Sequence, residues 1–347
     1  NQFAQPYAYI AVCYYYLEVF KKEKEFTNEL NTYADRAMLL NPQLPESLIA
    51  KALFYMNDGQ YELAVEFFEK VLEYNPDSGW AYNFLSDIYT TYLPDTEKYL
   101  IHAAKGIDLV VRGQDSTTAA VSYLHLSNAL AQNGFIAEAE KYVNISLGYM
   151  PNNVYAETVQ TYVELAKNMD LQKAKNALHN TYQKDTTNLL VLQEIAKIYY
   201  FMQDYELGWK YYEQLFNKTK NLGWDIYASE KINAAYALEQ LKQPDLAKKY
   251  LQDYLNFAQA DPSIYQPLLL STYYAYVDDI DQAIVELEAF SEADKYMYWL
   301  ILFLDQDPVF MKMADHPQFD PLIKKINDKF WKNHEQLKIQ LKEETVI

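Results

Sequence analysis

Residues 45–76 read PESLIAKALFYMNDGQYELAVEFFEKVLEYNP, and the fold is decided here. Leu48, Ala52 and Tyr55 recur at helical spacing and share one face of a first helix. Asp58-Gly59 then supplies a turn, because glycine tolerates the left-handed backbone that a tight reversal needs. Tyr61, Ala64, Phe68 and Val71 form a second periodic face. It stops at Asn75-Pro76, since proline lacks the amide donor and clashes with the preceding turn. The stretch predicts an antiparallel pair of helices. Residues 120–151 repeat it: Tyr123, Leu126, Ser127 and Leu130, a turn at Asn133-Gly134, then Ala139, Val143 and Ser146 before Pro151.

The same small residues mark the rest of the chain. In first helices they fall at Ala11, Ala52, Ser86, Ser127, Ala196, Ala235 and Ser271, and in second helices at Ala64, Ala139, Ala174, Gly208, Ala247 and Ala283. Ala52 and Ser86 are 34 residues apart, Ala139 and Ala174 are 35 apart, and Ser86 and Ser127 are 41 apart. Two helices of a hairpin approach closely only where a side chain shrinks to a methyl, a hydroxymethyl or a hydrogen. Tyr14, Tyr55, Tyr89, Tyr199 and Tyr274 stand beside that position in five hairpins, and Leu130, Leu165 and Leu238 in three. Much of the excess of 34 tyrosines is thereby given a packing role.

This pattern resembles the tetratricopeptide repeat, whose period is about 34 residues, over most of the chain. The resemblance implies an all-α protein: a right-handed superhelical solenoid of about eight hairpins with a C-terminal helical cap. The hairpins are expected at approximately 4–42, 45–76, 79–112, 120–151, 155–186, 189–216, 228–255 and 264–290. The domain division is then a superhelix over 1–290 and capping helices with a charged tail over 291–347. Tyr99 in the third hairpin and Tyr162 in the fifth replace the expected small residue, marking a local widening or a shifted register.

After the last hairpin comes YMYWLILFL, Tyr296 to Leu304, apolar on every side. At about nine residues it is roughly half of what a spanning helix needs, so it is expected to be buried by its own cap. The tail from Lys324 to Glu344 carries Ile326, Phe330 and Leu337 at helical spacing, as in an amphipathic helix over the end of the stack. Between them, Asp307-Pro308-Val309-Phe310 and His316-Pro317-Gln318-Phe319-Asp320-Pro321-Leu322-Ile323 resemble the closing signature of tetratricopeptide regions in bacterial signalling and transcriptional regulators. The opening Phe3-Ala-Gln-Pro-Tyr-Ala-Tyr-Ile-Ala-Val-Cys-Tyr is similar to their entry helix. That resemblance implies an amino-terminal winged-helix, cyclase or kinase output domain outside this chain. Gln318 stands where the common form of the signature has Arg, so an anion contact made by that Arg is missing.

The composition narrows the chemistry. A net charge of −18, with 30 Lys and Arg against 48 Asp and Glu, lacks the cation cluster that neutralises phosphates, so no direct nucleic-acid contact is expected. Arg36 and Arg112 are the only arginines. Cys13 is the only cysteine, which leaves no intrachain disulfide or thiolate metal site and does not separate cytoplasm from periplasm. His102, His125, His179, His316 and His334 lie on separate segments without paired-ligand spacing, so neither metal nor cofactor is expected. No phosphate-cradling glycine loop and no nucleophile motif occurs, and a non-enzymatic protein is expected. Asn1 rather than Met opens the sequence, as in an excised or processed piece, either free or attached to a membrane-anchored protein. The region itself reads as soluble and not membrane-embedded.

First helices of such hairpins line the concave surface, so a partner-binding groove is expected from Tyr15, Tyr16, Ile49, Leu53, Trp80, Asn83, Asn128, Tyr200, Phe201, Tyr236 and Tyr276. Tyrosine and tryptophan combine apolar area with a polar edge and are favoured at interfaces. Co-chaperone arrays hold a carboxylate tail with cations on these helices. Here Ile49, Leu53, Asn83, Asp87, Leu124 and Asn128 supply none. The expected partner is a protein or peptide, the role that of a scaffold or receiving arm of a regulator. The alternative is a free-standing adaptor or a scaffold that assembles with copies of itself.

Overall fold

The computed structural model describes residues 3–110, 116–224 and 226–343. Among them every regular element is helical, with one isolated bridge between Lys21 and Trp224. The helices form eight successive pairs: α1 (Ala4–Glu18) with α2 (Thr27–Leu40), α3 (Pro45–Asn57) with α4 (Tyr61–Tyr74), and α5 (Gly79–Asp87) with α6 (Thr96–Val110). Next come α7 (Ser116–Gln132) with α8 (Ile136–Tyr149), α9 (Val154–Asn168) with α10 (Leu171–Lys184), and α11 (Leu189–Phe201) with α12 (Tyr205–Leu222). The last pairs are α13 (Lys231–Gln240) with α14 (Pro244–Ala260) and α15 (Gln266–Tyr276) with α16 (Ile280–Ser291). A short α17 (Tyr298–Phe303) and a long α18 (Phe319–Glu343) close the chain. The expected all-α array of hairpins with a helical cap is what forms. The expected end of the third hairpin at Arg112 lies outside the described residues, as do Asn1 and Glu344.

Small residues sit where the helices touch. Ala11, Ala52, Ala196, Ala235, Ser127 and Ser271 are fully buried in first helices, and Ala64, Ala139 and Ala283 in second helices. Two serines do more than save space. Ser127 Oγ donates to the Ala139 carbonyl and Ser271 Oγ to the Ala283 carbonyl, each at 2.8 Å, so one hydroxyl per hairpin ties the small position of one helix to that of the next. A buried hydroxyl without such a partner would be costly. The neighbouring tyrosines fill the space beside these contacts: Tyr14 stacks on Tyr33, Tyr89 on His102, and Tyr199 on Tyr211.

Turns follow the backbone needs read from the sequence. Gly59 and Gly134 take φ of +74° and +81°, while Met169, Gln203, Lys242 and Asp278 take the left-handed region in later hairpins despite their Cβ atoms. Pro42, Pro76 and Pro151 each follow the helix they end by two residues. The third hairpin differs: α5 passes into a π-helical turn at Ile88–Tyr92. Its partner helix carries buried Tyr99 at the small-residue position, and an extra residue per turn is one way to make room for a ring there.

The described residues group into two compact units, Asn1–His125 with Thr219–Ile226, and Leu126–Lys218 with Tyr227–Ile347. In the second unit α18 packs on α16, and the 3-10 turn Phe310–Met313 packs on α15. The closing segment also reaches well beyond the last hairpin. His334 Nδ1 donates to the Asn133 carbonyl at 2.7 Å, and its ring stacks on Phe135 at 4.1 Å, both at the turn between α7 and α8. Among the described residues no helix is long and apolar enough to cross a membrane.

Candidate partner-binding face

Six of the residues expected to line a groove lie in the first unit. Ile49 and Leu53 on α3 are buried and form the floor. Tyr15 is buried as well, its ring edge-on to Tyr16 at 5.4 Å and to Phe84 at 6.3 Å. Phe84 in turn lies flat on Phe68 and edge-on to Trp80. This packing leaves two rings outward: Tyr16 keeps 56% and Trp80 47% of its surface exposed. Asn83 is half-buried, one turn from Trp80 on α5. The structure thus separates supporting residues (Tyr15, Ile49, Leu53) from available ones (Tyr16, Trp80, Asn83).

A cleft of about 360 Å³ opens beside Trp80, lined among others by Tyr9, Val12, Glu46, Ile49 and Asp77. Ser78 caps α5 there by accepting from the Ala81 amide, which fixes where Trp80 starts its turn. Gln5 Nε2 donates to Glu46 Oε1 at 2.8 Å across the cleft wall. Asp87 lies one turn beyond Asn83 and interacts electrostatically with Tyr15, Tyr16 and Tyr92. Its surface reaches solvent, yet protein surrounds it as a concave wall does, and this desolvation pushes its carboxyl up to about 6. Tyr92, stacked on Tyr61 at 4.3 Å, is pushed up to about 12 by burial first and by Tyr61 and Asp87 next. The arrangement is an aromatic wall with a surface carboxylate whose pKa is raised. Such a wall suits an apolar anchor beside a cation.

The remaining five expected residues lie in the second unit, and there the chain covers its own face. Tyr200 is fully buried and its hydroxyl donates to Asp307 Oδ1 at 3.2 Å. Asp307, the aspartate of the closing Asp-Pro-x-Phe sequence, also accepts from the amides of Val309 and Phe310. Burial raises its carboxyl pKa, while those three donors act in the opposite direction. Phe201 is stacked on Phe303 of α17 at 4.5 Å. Tyr236 stands edge-on between Tyr200 and Tyr276, and Tyr276 is buried. Asn128 on α7 is half-buried.

Two contributors escaped the sequence reading. Tyr162 was expected only as a misfit at a small position. It instead aims its ring at Trp299 and Phe303 and donates its hydroxyl to Glu194, which Lys197 also pairs at 2.6 Å. Tyr9, beside the cleft, was absent from the expected groove, although its exposed position on α1 one turn before the packing face was legible. Among the described residues no three metal-ligating side chains come together.

Residues 2–150 match the family model described as the SusR N-terminal TPR domain. That match spans less than half of the chain, and the helices after it continue the same hairpin architecture. No curated protein matches its sequence. Among solved structures, a human IFIT1 dimer with m7Gppp-AAAA is similar to this chain at TM-score 0.53 and 11% identity, covering 87% of this chain and 67% of that one. A human IFIT1 dimer with PPP-AAAA gives 0.51 and 10%, over 90% and 68%. A tetratricopeptide repeat protein from Parabacteroides merdae gives 0.45 and 11%, over 81% and 98%. At these identities the likeness concerns the fold. Tetratricopeptide arrays are scaffolds for protein–protein interaction, and this chain carries that architecture.

Proposed function

We propose that this array of helical hairpins captures a polypeptide segment on the aromatic wall of its first unit. The observation that carries the reading is the pair of exposed rings on one aromatic wall, Trp80 lining a 360 Å³ cleft and Tyr16 within the electrostatic reach of Asp87. The rings would take an aromatic or aliphatic anchor, and Asp87 with Glu46 and Asp77 would select Lys or Arg next to it. The acidic balance of −18 supports a cationic peptide over phosphate-bearing partners such as the RNAs in the IFIT1 structures. Selection from a random peptide library with the purified full chain tests this. Recovered sequences should combine an apolar residue with a neighbouring Lys or Arg, and a pool of acidic peptides would contradict it.

The Asp307-Pro308-x-Phe310 closure supports a further step, in which this capture serves a larger bacterial regulator as its receiving arm. The matching family's description places its repeats at the amino terminus of SusR, so the order of arm and output domain need not follow the arrangement implied by the closing signature. One observation favours the alternative of a self-assembling scaffold. Phe3, Ile10 and Leu17 form an exposed apolar stripe on the outside of α1, at 73%, 39% and 58% exposure. Sedimentation that shows a monomer at every concentration removes that alternative.

A further inference from the structure

In the second unit, α17 reads Tyr298-Trp-Leu-Ile-Leu-Phe303, apolar on all sides, and of its residues only Phe303 is buried. Its other five residues are half-buried, whereas nine of the thirteen residues of α11 are buried. Trp299, Leu302 and Phe303 hold it on the inward face, while Tyr298, Leu300 and Ile301 pack on the cluster that includes Phe330 of α18. Phe303 lies flat on Phe201 at 4.5 Å, and Trp299 meets the edge of Tyr162 at 5.4 Å. Trp299 and Phe303 are four residues apart, so both rings project from one side of the helix, toward a wall made by α9 and α11. On the other side Tyr298 meets Phe330 and Trp331 of α18 at 5.7 and 6.0 Å. No side chain caps the start of α17. The anchor lies beyond it, where Asp307 accepts from Tyr200 and from the amides of Val309 and Phe310.

A short ring-bearing helix, tethered at both ends, therefore lies on the first-helix faces with which such arrays take peptides. We propose that the wall of Tyr162 and Phe201 is a second peptide site, that α17 occupies it as an internal ligand, and that its external partner is a short helix presenting two aromatic rings one turn apart. The site is distinct from the first-unit wall of Tyr16 and Trp80. Tethering gives α17 a high effective concentration, so an external peptide binds the intact protein weakly and gains affinity in proportion to the fraction of open sites.

The test is anisotropy of a labelled peptide of the sequence Tyr296 to Asp307, titrated with the full-length protein and with its Trp299→Ala/Phe303→Ala variant. The variant should bind at least about ten-fold more tightly, since its internal ligand has lost both anchors. Adding Phe201→Ala to that variant should remove the gain, and Trp80→Ala should leave it unchanged, so failure here is separable from failure of the first-unit reading. Equal affinity for both proteins, or binding to neither, overturns the proposal. Should the double variant not fold, amide exchange of the unaltered protein decides. The amides of residues 298–304 should exchange at least about ten-fold faster than those of α13, and equal protection would make α17 ordinary core.

Discussion

Gly208 and Gly134 are both fitted to close contacts, and the structure assigns them opposite responses to alanine. A Cβ on Gly208 would sit 3.5 Å from the Tyr200 amide and 3.7 Å from the Ala196 carbonyl, ordinary contact inside a helix. Gly208→Ala should therefore stabilise the protein by about 0.5–1 kcal/mol in urea denaturation, because the unfolded chain loses freedom and the folded one gains contact. A Cβ on Gly134 would come within 3.2 Å of the Phe330 ring, at a φ of +81°. Gly134→Ala should cost about 1–2 kcal/mol and loosen α18 from the turn it covers. Titratable residues set a pH profile. Burial pushes both His102 and His125 down to about 4, below the unfolded value near 6.5, so their contribution is present above pH 6.5 and is lost as pH falls toward 4. Asp87, pushed up to about 6, acts with the opposite sign, since its folded form holds the proton longer than the unfolded one between pH 4 and 6. With His179 also lowered by burial and Asp307 also raised by it, three histidines stand against two aspartates, and the melting temperature should fall as pH is lowered from 6.5 to 4. Asp87→Asn should steepen that fall.

At the scale of helices, the close contact in the second, fourth and eighth pairs rests on a small residue facing a small residue, while Tyr99 and Tyr162 break that rule in the third and fifth. Ala52 and Ala64 are fully buried across the second hairpin, so Ala52→Leu forces the two helices apart and should cost about 1–3 kcal/mol in thermal or urea unfolding. These elements were legible because their signals are local: spacing along one helix, a glycine at φ > 0, a proline two residues past an end. What the sequence did not disclose depends on contacts between distant segments. Tyr200 and Phe201 looked like groove residues by position on α11. Nothing local to them shows that Asp307 and Phe303, more than a hundred residues later, would cover them. Likewise Tyr15, Ile49 and Leu53 have the spacing of a concave face, but whether a ring supports the wall or stands free depends on neighbours such as Phe84. Tyr162 carried a usable signal, since a ring at a small position must find space elsewhere.

For the whole molecule, the inward faces of the two units are in different states: one open at Tyr16 and Trp80, one covered by α17. A chain of net charge −18 that offers a carboxylate on its open wall should attract cationic segments over a distance, and raised salt should slow their association. Because Asp87 loses its charge below about pH 6, affinity for such a segment should rise as pH goes from 5 to 7, and Asp87→Asn should flatten that dependence. The most direct measurement is the affinity of one library-selected peptide for the unaltered protein and for Trp80→Ala, both checked for equal helicity. Loss of the ring should weaken binding at least about ten-fold, or ~1.4 kcal/mol, as expected of an aromatic anchor. An unchanged dissociation constant would show that the peptide does not use this wall and would contradict the account.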